Sequence, residues 1–133
     1  MNYQFQEEVG KLILRLTVGI LMLFHGTAKI LNPSALDAMG SQLASNGLPA
    51  SVAYGIYFAE VLAPLMIIAG VFSRIGGLLV AIDMVFAILM AHTAQLLTLS
   101  KSGGWAVELQ GFYLLCGIAI FFLGSGTMAV KPD

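Results

Sequence analysis

Four long apolar stretches constrain this chain more than any other feature of its sequence. They cover residues 12–31, 52–72, 75–97 and 106–123. A helix needs about 20 mainly apolar residues to cross the hydrocarbon core of a bilayer, where its backbone must be satisfied internally. Only 10% of the residues are charged, far below the roughly 25% of a soluble domain. The sequence therefore predicts an all-α, polytopic membrane protein, with the whole chain, residues 1–133, forming one bundle of four transmembrane helices.

The connections between these stretches differ in kind. Ser73 and Arg74 alone join the second and third stretches, which must therefore form an antiparallel hairpin. The longest connection opens with Asn32-Pro33, a good helix start. An apolar stripe follows it at helical spacing: Leu36, Met39 and Leu43. We interpret Ser34–Ser45 as a short amphipathic helix, lying either in the membrane interface or across the mouth of the bundle.

The distribution of lysine and arginine predicts the orientation. Four of these residues share the side that holds both termini: Lys11, Arg15, Arg74 and Lys131. Two lie on the other side: Lys29 and Lys101. Because loops rich in Lys and Arg stay in the cytoplasm, we expect a multi-pass protein of the bacterial inner membrane with both termini cytoplasmic.

Ionisable residues within the apolar stretches are costly in lipid, so each one is a functional hypothesis. The chain has seven of them: Arg15, His25, Lys29, Glu60, Asp83, His92 and Glu108. At about 1.5 Å per residue, Glu60 and Asp83 lie about 12 Å inside their stretches. At about 100° per residue, Arg15 and Lys29 share one face of the first stretch. Gly19, Met22 and Gly26 complete that face.

These positions predict an internal polar pocket. Its candidate residues are Arg15, His25, Lys29, Glu60, Asp83 and Glu108. Glu60, His25 and Asp83 are the candidate catalytic residues, because they could donate hydrogen bonds or exchange protons. The structural alternative is that the same groups form buried ion pairs that lock the bundle, such as Arg15 with Asp83.

Other ligand classes receive less support. His25 and His92 raise a bis-histidine haem b, but the fourth stretch is short and His92 points away from the face of Asp83. No third zinc ligand accompanies the histidines, so no metal site is predicted. A GxGxxG fingerprint is absent, so any electron source must be a partner. The formal net charge of −1 gives no electrostatic footprint for nucleic acid.

Two groups of motifs resemble the DoxX family. The first is Leu14-Arg15-Leu16, Gly19 and Phe24-His25-Gly26-Thr27-Ala28-Lys29. The second is Asn46-Gly47-Leu48-Pro49, Glu60 and Gly70-Val71-Phe72-Ser73-Arg74. The resemblance covers residues 12–123 and implies a four-helix membrane fold with oxidoreductase activity. One departure is Ala63-Pro64, where the family often has a glycine pair.

The resemblance implies a redox function. One branch of the family is similar to the membrane subunit of a thiosulfate:quinone oxidoreductase, and others are linked to oxidative-stress complexes. Our first hypothesis is therefore a quinone-interacting subunit, in which Arg15, His25 and Lys29 donate hydrogen bonds and Glu60 or Asp83 relays protons. A soluble redox subunit would be its partner.

Two further hypotheses remain. The chain could be a non-catalytic anchor or assembly subunit whose pocket holds a partner helix or lipid. It could also be a small transporter or proton path, for which Glu60, Asp83 and a helix kink at Pro64 are suited. Four helices are few for alternating access, so a transporter would require a homo-oligomer.

Overall fold

The fold is an all-α bundle. The computed structural model describes residues 2–91 and 93–133, with the side chain of Ala91 left aside. Every α-helix in this part of the chain follows the sequence order α1 to α5: Tyr3–Ile30, Pro33–Ser45, Val52–Ala69, Ser73–Ala91 and Glu108–Leu123. A short 3-10 turn, Thr93–Gln95, follows α4. This architecture confirms the fold class predicted from the sequence.

Helix α1 begins well before the first apolar stretch. Its cap is Asn2, whose side chain accepts the Phe5 N–H at 2.7 Å. The helix has 28 residues, which corresponds to about 42 Å, and the hydrocarbon core is only about 30 Å thick. The charged first turns around Glu8 and Lys11 therefore extend beyond the apolar part of the helix.

Helix α2 covers one mouth of the bundle. It packs against α1 and α3, and Leu43 is completely buried by this packing. Pro33 occupies its first turn, where the missing N–H costs nothing. Gln42 donates a hydrogen bond to the Met90 carbonyl at 2.9 Å, which ties α2 to the end of α4. Of the two interpretations of this helix, the packing favours a cover over the bundle.

The hairpin between α3 and α4 turns at Gly70. This residue has a φ of 74°, the left-handed conformation that glycine adopts without strain at a helix end. Its N–H and that of Val71 both bond to the Met66 carbonyl. The connection is thus residues 70–72, and the predicted linker Ser73-Arg74 forms instead the first two residues of α4.

Helices α1, α3 and α4 are long and apolar enough to cross a membrane. Helix α4 ends at Ala91, six residues before the end of the third apolar stretch, because residues 93–95 tighten into the 3-10 turn. Helix α5 is also apolar but has 16 residues, about 24 Å. The fourth member of the bundle is therefore shorter than the bilayer core.

Small residues bring the helices together. The closest packing joins α4 to α5, where a methyl group on Gly77 would lie 2.6 Å from the Gly117 carbonyl oxygen. The shared core consists of apolar residues from α1, α3, α4 and α5: Val18, Met22, Ala63, Ile67, Val80, Met84, Tyr113 and Ile120. Large side chains such as Phe58 and Phe122 are exposed on the outside, as expected of a surface that faces lipid.

Arg15 lies at the end of the bundle that holds both termini, which we call the terminal end. Its guanidinium donates to the Ile67 and Ile68 carbonyls at the end of α3, both at 3.0 Å. It also donates to the Ser125 and Met128 carbonyls, both at 2.9 Å. These contacts replace the ion pair with Asp83 that the sequence allowed, so Arg15 attaches the C-terminal segment to α1 and α3.

Asp133 completes the terminal end. Its carboxylate accepts hydrogen bonds from the Ser73 hydroxyl at 2.5 Å, the Arg74 N–H at 3.0 Å and the Ser125 N–H at 3.2 Å. Burial acts to raise the pKa of Asp133, but these hydrogen bonds outweigh it and hold the pKa below its ordinary value of 3.8. Glu8 similarly accepts hydrogen bonds from Thr127. The start of α1, the α3–α4 turn and the C-terminal segment therefore share one end.

Candidate functional site

A cavity of about 300 Å³ opens between the helices at the end opposite the termini. Four methionines contribute to its mainly apolar wall: Met22, Met39, Met84 and Met90. Ionisable side chains from three helices form one corner of it: His25, Lys29, Glu60 and Asp83. An apolar chamber with a few converging polar groups is the usual form of a small-molecule site.

The ion pair between Lys29 and Glu60 dominates this corner. Lys29 Nζ lies 2.6 Å from Glu60 Oε1. The Glu60 side chain is 4% exposed and the Lys29 side chain 32%, so the carboxylate is buried while the ammonium group reaches the cavity. Lys29 Nζ also lies 5.8 Å from the centre of the Tyr57 ring, within the range of a cation–π contact.

A close crossing of α1 and α3 makes this ion pair possible. Pro64 has no N–H, so it leaves the carbonyl of Glu60, four residues earlier, without its helical hydrogen bond. Gly26 lies directly against that carbonyl, and a methyl group at this position would be 2.6 Å from the oxygen. Lys29 follows Gly26 by about one helical turn, which places its side chain beside Glu60.

Asp83 faces Glu60 from α4. Asp83 is 8% exposed and Glu60 is 4% exposed, and the two carboxyl groups are within hydrogen-bonding reach of each other. Yet Glu60 Oε2 and Asp83 Oδ2 have no hydrogen-bond donor among the described residues. Buried polar atoms nearly always have partners, so this pair of acids requires either a proton or a ligand.

His25 occupies the more open part of the cavity wall. Its ring meets the Tyr113 ring edge to face, with 5.9 Å between the ring centres. Tyr113 itself is 5% exposed and belongs to the core. The imidazole is thus held from one side, while most of its surface remains accessible.

The structure brings together four of the six residues predicted for the pocket. Arg15 is excluded because the carbonyls of the terminal end hold it there. Glu108 opens α5 but is absent from the cavity wall, which its neighbours Leu109 and Gln110 join instead. Its carboxylate lies over the preceding loop, against Gly104. His92, and with it the two-histidine haem arrangement, lies outside the described residues.

Several wall residues were not singled out from the sequence as site residues. Gln42, Gln110 and Tyr113 line the cavity, but nothing in their local sequence marks them. The methionines gave a weak signal, because Met22 shares the face of Lys29 and Met90 shares the face of Asp83 at helical spacing. No group of three or more His, Cys, Asp or Glu residues suited to a metal occurs in the part of the chain that the structure describes.

These features define a polytopic membrane helix bundle with a cavity that has one charged corner. The sequence profile of the DoxX family matches residues 10–93. The chain belongs to the DoxX family, which confirms the resemblance seen in its motifs. It is 30% identical over 132 residues to "Putative oxidoreductase CatD" of Bacillus subtilis (strain 168), an alignment that covers 99% of this chain and 90% of the relative. No solved structure matches the chain.

Proposed function

We propose that this protein is the quinone-binding membrane subunit of a redox complex. The observation that supports this most directly is the buried Lys29–Glu60 pair, with Asp83 beside it, at the end of an apolar cavity. A quinone has a flat apolar ring with polar oxygens at its edge and an isoprenoid tail. The chamber offers matching surfaces, an apolar wall for the ring and charged groups for the oxygens.

The residues present fit the chemistry of a quinone. Lys29 uses one of its three ammonium hydrogens on Glu60 and keeps two to donate to a carbonyl oxygen. Glu60 and Asp83 can accept from or donate to a hydroxyl, depending on their protonation. The volume of about 300 Å³ is at the lower end of the range for small-molecule pockets, so it suits the ring, with the tail leaving through the opening.

The electrons would come from a soluble partner subunit, since the sequence carries no dinucleotide fingerprint of its own. The name of the Bacillus subtilis relative, which describes an oxidoreductase, supports a redox assignment. The role of this chain is then to bind the quinone within the membrane, orient its oxygens and exchange protons with them.

Quinone binding to the purified protein in lipid nanodiscs tests this function. Menadione and a short-chain benzoquinone would be titrated calorimetrically against the wild type and Glu60→Gln. Loss of the carboxylate releases Lys29 from its buried partner, and charge-assisted hydrogen bonds contribute about 1.5–3 kcal/mol. We therefore expect binding to weaken about tenfold or more.

Glu108→Gln provides the matched control, because it makes the same change of carboxylate to amide outside the cavity wall. Its affinity should equal that of the wild type. No quinone binding by the wild type, or equal weakening in both variants, would contradict the proposal. Co-purification with a soluble subunit without any quinone binding would favour the anchor function instead.

A further inference from the structure

We infer that Glu60 and Asp83 hold a single proton between them, so that the buried group of Lys29, Glu60 and Asp83 carries no net charge and the cavity accepts an uncharged headgroup. The inference rests on the proposed function only for the identity of that headgroup. The proton count follows from the contacts of the three side chains.

The first step concerns the unpaired oxygens. Glu60 Oε1 accepts from Lys29, but Glu60 Oε2 and Asp83 Oδ2 are buried without a donor. The two carboxyl groups are nevertheless within hydrogen-bonding reach of each other. Two carboxylates cannot hydrogen-bond, since both are acceptors only. One proton placed on either acid turns this contact into an O–H···O⁻ hydrogen bond.

The second step concerns charge. Two carboxylates buried side by side repel each other, and such pairs retain a proton for this reason. The single ammonium of Lys29 balances one negative charge, which is the charge that remains once the pair holds one proton. Three ionised groups would leave an unbalanced charge in a medium where isolated ions cost several kcal/mol.

The surroundings provide few alternatives. The titratable groups that face the pair in the described residues are Lys29 and His25 on α1, Tyr57 on α3 and Tyr113 on α5. Helix α2 contributes only uncharged residues to the wall, namely Met39, Gln42 and Leu43. Lys29 is the one group of this set that contacts Glu60 as a cation, and it lies within Coulombic reach of Asp83.

The consequence is a selection by ligand charge. An organic cation or anion that enters the cavity would add a charge with no counter-ion to meet it. A neutral headgroup with oxygen atoms, such as a quinone or quinol, can bond to Lys29 and to the carboxyl pair without that cost. The proton on the pair also lies where such a headgroup would need one.

Infrared spectroscopy of the ligand-free protein tests the proton count. At neutral pH, the wild type should show the C=O stretch of one protonated carboxyl group per chain, shifted in D₂O. In Asp83→Asn this band should disappear, because Glu60 then pairs with Lys29 as a carboxylate. In Lys29→Met the band should about double, because the pair loses its cation and takes up a second proton. Glu108→Gln is the control and should leave the band unchanged.

No protonated carboxyl band in the wild type would overturn the inference, and so would a band that persists in Asp83→Asn. Charge selection is measured separately with menadione, a naphthoquinone sulfonate and a naphthoquinone that carries a quaternary ammonium group. The neutral compound should bind at least about tenfold more tightly than either ion. Equal or tighter binding of an ion overturns the charge selection. If none of the three binds, the proposed function fails, while the infrared result still decides the proton count.

Discussion

Arg15 illustrates how burial determines the role of a single charged residue. It is 1% exposed, and no carboxylate pairs with it in the described part of the chain. Its guanidinium instead meets four backbone carbonyls from two separate segments. Carbonyls at a helix C-terminus carry a partial negative charge, and the Ile67 and Ile68 carbonyls belong to the last turn of α3. Partial charges of the backbone therefore stabilise this cation.

Arg15→Lys should destabilise the protein although the positive charge is kept. A lysine offers a single ammonium point charge and cannot match the planar fork that reaches four oxygens. Each buried carbonyl left unpaired costs about 1–3 kcal/mol, so we expect a loss of about 3 kcal/mol. Thermal unfolding in detergent would measure it. Lys11→Gln, which removes only a 3.8 Å contact with Glu8, should be close to neutral; equal losses in the two variants would contradict this account.

The polar residues also show what the sequence could and could not predict at this scale. Helical spacing correctly placed Lys29, Met22 and the two glycines on one face of α1, because that periodicity is a property of the helix itself. It could not direct Arg15 away from the pocket, since its partners are carbonyls distant in the chain, at residues 67, 68, 125 and 128. Backbone acceptors leave no trace in side-chain identity, and Glu108 escaped prediction for a similar reason.

At the scale of elements, glycines determine how closely α1 approaches α3. Gly19 and Gly26 lie seven residues apart on the same face, and a methyl group on either would collide with α3. The sequence identified this face, but it could not say which helix would occupy it. Helix lengths were predicted less well, because the tight 3-10 turn after α4 lies within an apolar stretch that continues to Leu97.

Gly26→Ala should separate α1 from α3 and disturb the cavity. The added methyl would lie 2.6 Å from the backbone oxygen of Glu60, which cannot move without bending α3. Overpacking of this kind costs about 1–3 kcal/mol, and the shift would carry Lys29 away from Glu60. We expect a lower unfolding temperature and at least a several-fold loss of menadione affinity.

Gly10→Ala is a matched control on the same helix, because nothing lies within 4 Å of a methyl group there. The alanine should be neutral or slightly stabilising, since glycine in a helix interior costs about 1 kcal/mol relative to alanine. An unfolding temperature and an affinity for Gly26→Ala that match those of Gly10→Ala would show that the crossing tolerates more space than the structure allows.

At the scale of the whole molecule, the two ends of the bundle differ in charge and in task. The terminal end is closed by hydrogen bonds that involve Arg15, Arg74 and Asp133. The opposite end contains the cavity and its cover, α2. Arg15 is buried among carbonyls and Lys29 is paired with Glu60, so neither presents a free charge to a lipid headgroup. Three cations remain at the terminal end, Lys11, Arg74 and Lys131, against Lys101 at the other.

This asymmetry predicts that the terminal end faces the cytoplasm and that the cavity opens toward the outer side of the membrane. Labelling with a membrane-impermeant maleimide tests the orientation, on a background in which the single cysteine, Cys116, is replaced by alanine. Gln4→Cys marks the terminal end and Ser102→Cys the opposite end; both positions are exposed. In intact cells Ser102→Cys should react, while Gln4→Cys should react only after permeabilisation. The reverse pattern would invert the topology and place the cavity on the cytoplasmic side, where a soluble redox subunit could reach it directly. Labelling of both positions in intact cells would mean that the charge difference is too small to fix one orientation.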